Sequence, residues 1–283
     1  MRPINGDDAC KFFKSLTFDI FENYFKHLSM SRTSSAIPII RLGEPLPRPD
    51  SAMGQNSAYP GLVAAGQDLS ASRLIEAYQQ GIFPWYSEGQ PILWWSTDPR
   101  MVLPVSEFKL HRSFKKTLIK TISQGRLEIK IDQNFDEVVK LCAESKRPGQ
   151  SGTWIQPEMM VAYSELHLLG KAHSVECWLD GHLVGGLYCV AIGKALFGES
   201  MFSLQSEASK IALTALICFC RQHAIPSIDC QQQTPHLKFM GARPISRQRF
   251  LEDLMIFTPQ PPPRWEFLPV YWNHILPFTQ QLT

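Results

Sequence analysis

His173-Ser174-Val175-Glu176-Cys177-Trp178-Leu179, then Asp180-Gly181, then His182-Leu183-Val184-Gly185-Gly186-Leu187-Tyr188-Cys189-Val190-Ala191-Ile192 is the stretch that decides the fold. Its period is two on both sides of an Asp-Gly pair, which reads as two antiparallel strands joined by a tight turn. Gly193-Lys194 then turns the chain into a third strand over 195–202. After it the period lengthens: Ala208, Ile211, Ala212, Ala215, Leu216 and Phe219 share one face and predict a helix over about 207–222. A strand at 227–231 and a short helix near 234–240 follow. Upstream, Phe135, Val138, Val139 and Cys142 predict a helix over 133–144, and Met159 to Leu169 a second one between Pro157 and Gly170. Ser70 to Gln80 reads as a capped helix stopped by Gly81. Three antiparallel strands, helix, strand, helix make an α+β chain with a mostly antiparallel sheet.

The chain has 283 residues, of which 44% are hydrophobic and 19% charged, enough for one large domain or two modest ones. A net charge of +2 announces no nucleic acid by itself, yet leaves room for a local basic face. Seven cysteines occur without a CxxC pair, which fits reduced thiols in a reducing compartment. No apolar run approaches the ~20 residues that span a bilayer, and the charged first thirty residues make a poor signal peptide. The expectation is a cytoplasmic protein with no membrane partner. Residues 1–35 read as an extension, disordered or preceding a second start at Met30, although Phe12, Phe13, Leu16, Ile20 and Tyr24 could form a short amphipathic helix. An N-terminal domain is expected over 36–98, a second domain over 99–258 and, after the Pro261-Pro262-Pro263 run, a tail over 259–283.

Polar intrusions into apolar strands mark the candidate site. Glu199 with Ser200 and Ser203 interrupts the third strand, and Asp229 and Gln231 interrupt the fourth. Strand alternation puts Asp229 and Gln231 on one face and Cys230 on the other. Such groups are costly in an apolar setting unless hydrogen-bonded or put to use in moving a proton or orienting an amine. Cys230 has no basic neighbour in sequence, so a nucleophilic role is disfavoured. His173 and His236 read first as structural histidines, and no His, Cys and carboxylate spacing resembles a metal site. Trp94 and Trp95 read as inter-domain packing, whereas Trp85 and Trp154 lie in Gly- and Pro-bounded loops where a ring can stack on a base. Lys109, His111, Arg112, Lys115, Lys116 and Lys120 form the densest positive run and suit a phosphate backbone.

Taken in order, Gly81-Ile82-Phe83-Pro84-Trp85, Trp94-Trp95-Ser96 with Asp98-Pro99-Arg100, Gly152-Thr153-Trp154-Ile155, His173-Ser174-Val175-Glu176, Leu183 to Tyr188, Gly198 to Ser203 and Asp229-Cys230-Gln231 resemble bacterial leucyl/phenylalanyl-tRNA–protein transferases. The likeness runs from about Ile37 to about Phe257. It implies a small N-terminal domain and a C-terminal GNAT-like (acetyltransferase-fold) domain. It implies transfer of Leu, Phe or Met from aminoacyl-tRNA to proteins with N-terminal Arg or Lys, making an N-end rule degradation signal, with no cofactor or metal; a monomer is expected, although the sequence does not give the oligomeric state. By match of motif, Asp229 and Gln231 are catalytic, with Asp229 orienting and polarising the Gln231 amide, and Glu199 helps to fix the amine or Gln231. Leu187, Leu213, Leu216 and Ile228 line the side-chain pocket, and Trp85 and Trp154 grip the terminal adenosine. Lys109, Arg112, Lys115 and Lys116 are the expected tRNA contacts. Two readings from other classes compete. An acyl-CoA N-acetyltransferase needs a Gly-rich phosphate loop that Ser203 to Ser209 lacks, and an RNA-binding module leaves Asp229 and Gln231 unexplained.

Overall fold

A computed structural model describes residues 37–145 and 153–276. The expected helix at Phe12–Tyr24 lies outside the described residues. The chain divides into two compact units, Met1–Ser96 with Lys146–Gln156, and Thr97–Ser145 with Pro157–Thr283.

The first unit carries a four-stranded sheet in the order β1 (Ile39–Ile40), β2 (Leu62–Gly66), β4 (Ile92–Trp95), β3 (Phe83–Pro84), with helix α1 (Ala71–Gln79) between β2 and β3 in sequence. The Ser70 hydroxyl caps α1 by accepting the Arg73 N–H, as its position before the apolar stripe predicts. Trp94 and Trp95 are buried in β4 and belong to this unit's own core.

The second unit is built on seven strands in the order β11-β5-β10-β9-β8-β7-β6. These are β5 (Arg100–Pro104), β6 (Leu127–Ile131), β7 (Ala172–Leu179), β8 (His182–Ile192), β9 (Ala195–Ser203), β10 (Ser227–Asp229) and β11 (Arg243–Ile245). Helices α2 (Arg112–Ser123), α3 (Phe135–Glu144), α4 (Pro157–Leu168), α5 (Ala208–Gln222), α6 (Pro235–Phe239) and α7 (Arg247–Phe257) complete it. Asp180 and Gly181 both take positive φ, 51° and 76°, so the β7–β8 hairpin turns as its Asp-Gly pair requires. Every strand pair of this seven-stranded sheet is antiparallel except β9 with β10, which α5 connects in parallel. A meander followed by a helical crossover into a parallel neighbour is the GNAT-like arrangement, and the chain is α+β.

Alternation along the strands sorts the two faces of this sheet. Leu187, Cys189, Leu196 and Ile228 join Ala212, Leu216 and Phe219 of α5 in one apolar core. Tyr188 points the other way, its ring 6.2 Å from Phe135 and 5.2 Å from Tyr163, and Phe197 faces Phe250 of α7 at 6.5 Å. The close approach of α5 to β8 depends on glycine: a Cβ on Gly185 would lie 2.5 Å from Cβ of Ala208. The triple proline does not end the packing, because Tyr271, Trp272 and Leu276 are buried against the α5 side. Trp265 stacks on His173 at 3.9 Å and on Phe219 at 4.6 Å.

Glu176 of β7 is fully buried. Its carboxylate accepts the Ser174 hydroxyl at 2.8 Å, the Trp178 indole N–H at 2.8 Å and the Asn134 backbone N–H at 2.7 Å. Asn134 stands at the N-cap of α3 without a side-chain cap of its own, so a strand residue satisfies the helix terminus and gains from its dipole. Glu176→Ala leaves these three donors without their acceptor, the Ser174 hydroxyl among them fully buried, and is expected to cost about 2–5 kcal/mol in urea unfolding. A loss below about 1 kcal/mol would remove this capping role.

Candidate active site

The expected fourth strand stops early. β10 ends at Asp229, and Gln231 sits at φ 53°, in the left-handed region that a side-chain-bearing residue rarely occupies. The alternation argument for Asp229 and Gln231 therefore fails, and hydrogen bonds relate the two residues instead. The Gln231 backbone N–H donates to Asp229 Oδ1 at 2.9 Å, and the Gln231 carbonyl accepts the Thr97 hydroxyl at 3.1 Å and the Met101 N–H at 3.4 Å. These bonds hold the strained turn that carries the side chain.

The Gln231 side chain is bonded to Glu199, not to Asp229. Its Nε2 donates to Glu199 Oε1 at 3.1 Å, and the Tyr163 hydroxyl donates to Glu199 Oε2 at 3.0 Å. A carboxylate only accepts here, so it fixes which way round the amide lies and turns the amide oxygen away from itself. Register explains how Glu199 gets there. Tyr188 pairs with Ser200 and Cys189 with Gly198, so Glu199 is the extra residue of a β-bulge in β9. Bulges re-aim side chains beside active sites.

Asp229 is engaged elsewhere. Arg100 Nε reaches Asp229 Oδ1 at 2.8 Å and Nη2 reaches Oδ2 at 2.6 Å, a forked pair with both side chains buried. Sequence reasoning assigned Arg100 no role, although it closes the motif Asp98-Pro99-Arg100. The signal was a charged residue opening an apolar strand. Polarisation of the Gln231 amide by the Asp229 side chain is thus replaced by Asp229 holding the Gln231 backbone. Cys230 stays outside the chemistry, since burial and the adjacent Asp229 carboxylate hold its thiol well above the usual range.

Leu187, Leu213, Leu216 and Ile228 are all buried and fall in one apolar cluster, with half-buried Met201 packed against it. Lys109, Arg112, Lys115, Lys116 and Lys120 are exposed on or just before α2, while Phe114 between them is buried. Trp85 and Trp154 belong to the first unit and are half-buried. The Trp85 ring meets Trp95 edge to face at 6.1 Å, and the Trp95 indole donates to the Trp85 carbonyl at 2.7 Å.

One cluster among the described residues has metal-ligand chemistry, Asp132 with His167 and His173. His167 Nδ1 lies 2.9 Å from the Ala172 carbonyl, and His173 Nδ1 lies 2.7 Å from Asp132 Oδ2. Both acceptors lack a proton, so both nitrogens donate and neither turns a lone pair to the carboxylate. The Asp132 carboxylate also accepts the Ser174 N–H at 2.8 Å, so the trio reads as a brace between the end of β6 and β7.

At the start of α5 the Ser203 hydroxyl accepts the Ser209 N–H at 3.1 Å, and the Gln205 carbonyl accepts the Ala208 N–H at 3.2 Å. These first-turn donors are already satisfied, which argues against a pyrophosphate cradle of the acyl-CoA kind.

The model of the leucyl/phenylalanyl-tRNA protein transferase family matches residues 102–255, and that of its N-terminal domain residues 67–98. The leucyl/phenylalanyl-tRNA–protein transferase of Polaromonas sp. is 52% identical over 87% of this chain and 97% of its own. That of Albidiferax ferrireducens is 53% identical over the same shares. A solved structure of a conserved protein from Staphylococcus epidermidis overlaps 65% of this chain and 68% of its own at 8% identity, with a TM-score of 0.33, from which no relationship follows. By class the protein is an aminoacyltransferase. The chain belongs to the leucyl/phenylalanyl-tRNA–protein transferase family.

Proposed function

We propose that this chain moves Leu, Phe or Met from aminoacyl-tRNA to the α-amine of an N-terminal Arg or Lys, with Gln231, Glu199 and Asp229 as its working residues. One observation supports this best: a strained glutamine whose amide a carboxylate pins by its N–H side, in a member of this family. The donor ester is already activated, so the acceptor amine attacks directly and no enzyme nucleophile is needed. A C–N bond forms, the ester C–O bond breaks, and the ribose hydroxyl leaves with a proton drawn from the amine. The Gln231 amide oxygen accepts an N–H of the amine and aims its lone pair. Glu199, one hydrogen bond away, stabilises the positive charge that develops on the attacking nitrogen.

The cluster of Leu187, Leu213, Leu216 and Ile228 takes the donor's apolar side chain, and Trp85 and Trp154 stack on its terminal adenosine. No helix of the described residues is long and apolar enough to cross a membrane, and the six described cysteines are free thiols. Free thiols suit a reducing compartment, and we place the protein's work in the cytoplasm, as a monomer. Labelled leucine on tRNA, mixed with peptides that start with Arg or Ala, is expected to appear on the Arg peptide alone. Labelling of neither peptide, or of both equally, would overturn the proposal.

The exposed lysines of α2 face the acceptor-stem phosphates in this reading. Lys115→Ala with Lys116→Ala is expected to raise KM for full aminoacyl-tRNA and to flatten the salt dependence of tRNA binding by up to about 0.9 log units for each phosphate no longer neutralised. A short aminoacyl-adenosine donor should react as before. Trp154→Ala should impair both donors. Equal loss with both donors in the lysine variant would contradict the phosphate assignment.

A further inference from the structure

We infer that Arg100 is a positioning residue of the transfer reaction, with Asp98 and Phe250 as its supports; the inference rests on the transfer reading above. The Asp98-Pro99-Arg100 motif and α7 then acquire a function that fold alone leaves unassigned.

The chain of contacts starts outside the site. Asp98 Oδ1 accepts the Arg247 N–H at 3.1 Å, at the first residue of α7, beside the Ser246 cap. Three residues on, Phe250 is buried and its ring centroid lies 4.5 Å from Arg100 Cζ. A guanidinium over an aromatic face gains electrostatic attraction and loses freedom to rotate. Thus held, Arg100 presents its fork to Asp229. Oδ1 of that carboxylate takes Arg100 Nε and the Gln231 N–H together. The same strand grips the backbone: Met101 accepts the Cys230 N–H at 2.9 Å and donates to the Gln231 carbonyl. Side chain and main chain of β5 therefore determine where the Gln231 turn lies, and the Gln231 amide is the group that Glu199 orients.

Two physical points separate this role from simple stabilisation. A buried ion pair is weak evidence for stability, because an apolar pair of similar volume often does as well. This pair, however, is hydrogen-bonded directly to the residue that meets the amine. A lysine in place of Arg100 would keep the charge and lose the two-point fork that sets the carboxylate plane.

The experiment compares wild type with Arg100→Lys and Phe250→Leu, measuring kcat and KM with leucyl-tRNA and an Arg-starting peptide alongside urea unfolding. Arg100→Lys is expected to lower kcat by about 30-fold or more, since misplacement of a reacting group by an ångström can cost about 100-fold. Both KM values should stay within about threefold. Phe250→Leu should lower kcat by about fivefold in the same pattern. If the lysine variant does not fold, the leucine variant decides alone. Wild-type kcat in a folded variant, with only its unfolding midpoint lowered, would overturn the inference, and so would failure of both variants to fold. Absence of transfer by the wild type would instead strike the reading on which the inference rests.

Discussion

Asp229→Ala should lose nearly all transfer activity and also weaken the fold, by about 3–5 kcal/mol. The second loss follows from what remains. Arg100 is fully buried, and without the carboxylate its charge has lost the forked partner it meets at 2.6 and 2.8 Å. The first loss follows from Gln231, whose N–H would lose its acceptor and whose left-handed backbone would lose one of its restraints. A drop in kcat of about 100-fold or more is expected, and urea unfolding of the same sample separates the two effects. Asp229→Asn keeps the size and one acceptor oxygen and should fall between. A variant that unfolds more easily yet transfers at the wild-type rate would show that the pair serves the fold only.

Gln231→Ala should show the opposite balance. The residue is only half-buried and its side chain holds up no packing layer, so stability should change by less than about 1 kcal/mol. In the proposed reaction its amide meets the amine, and removal of such an oriented hydrogen-bonding group costs about 100- to 1,000-fold in kcat. KM for the tRNA donor should barely move, because no base or phosphate contact is altered. A loss confined to KM would assign Gln231 to substrate binding and not to the reacting amine.

Much of this was legible in the sequence, for identifiable reasons. The β7–β8 hairpin was clear because Asp180-Gly181 sits between two period-two runs, and α5 because six apolar positions recur on one face. Strands β5, β6 and β11, the four strands of the first unit, and helices α2 and α7 were not. β11 is three residues long, and the basic run of α2 invited a reading as charge before a reading as helix. At the site, Asp229, Gln231 and Glu199 stood out as polar groups among apolar ones, but their wiring was hidden. A bulge adds one residue to a strand without changing its composition, so the aim of Glu199 could not be read from alternation. A left-handed residue that is not glycine leaves no mark either, so Gln231 was read as strand. The partner of Asp229 lies 129 positions away at the start of β5, beyond any local pattern.

The central claim is that Glu199 and Gln231 act as one unit on the acceptor amine, since the carboxylate's bond to Nε2 is what turns the amide oxygen outward. A double-mutant cycle on single-turnover transfer tests it, with Glu199→Ala, Gln231→Ala and the two combined, using leucyl-tRNA and an Arg-starting peptide. The combined variant is expected to transfer within about threefold of the slower single variant, as residues in one network do. Losses that multiply in full would mean that the two side chains work independently, and would contradict the claim.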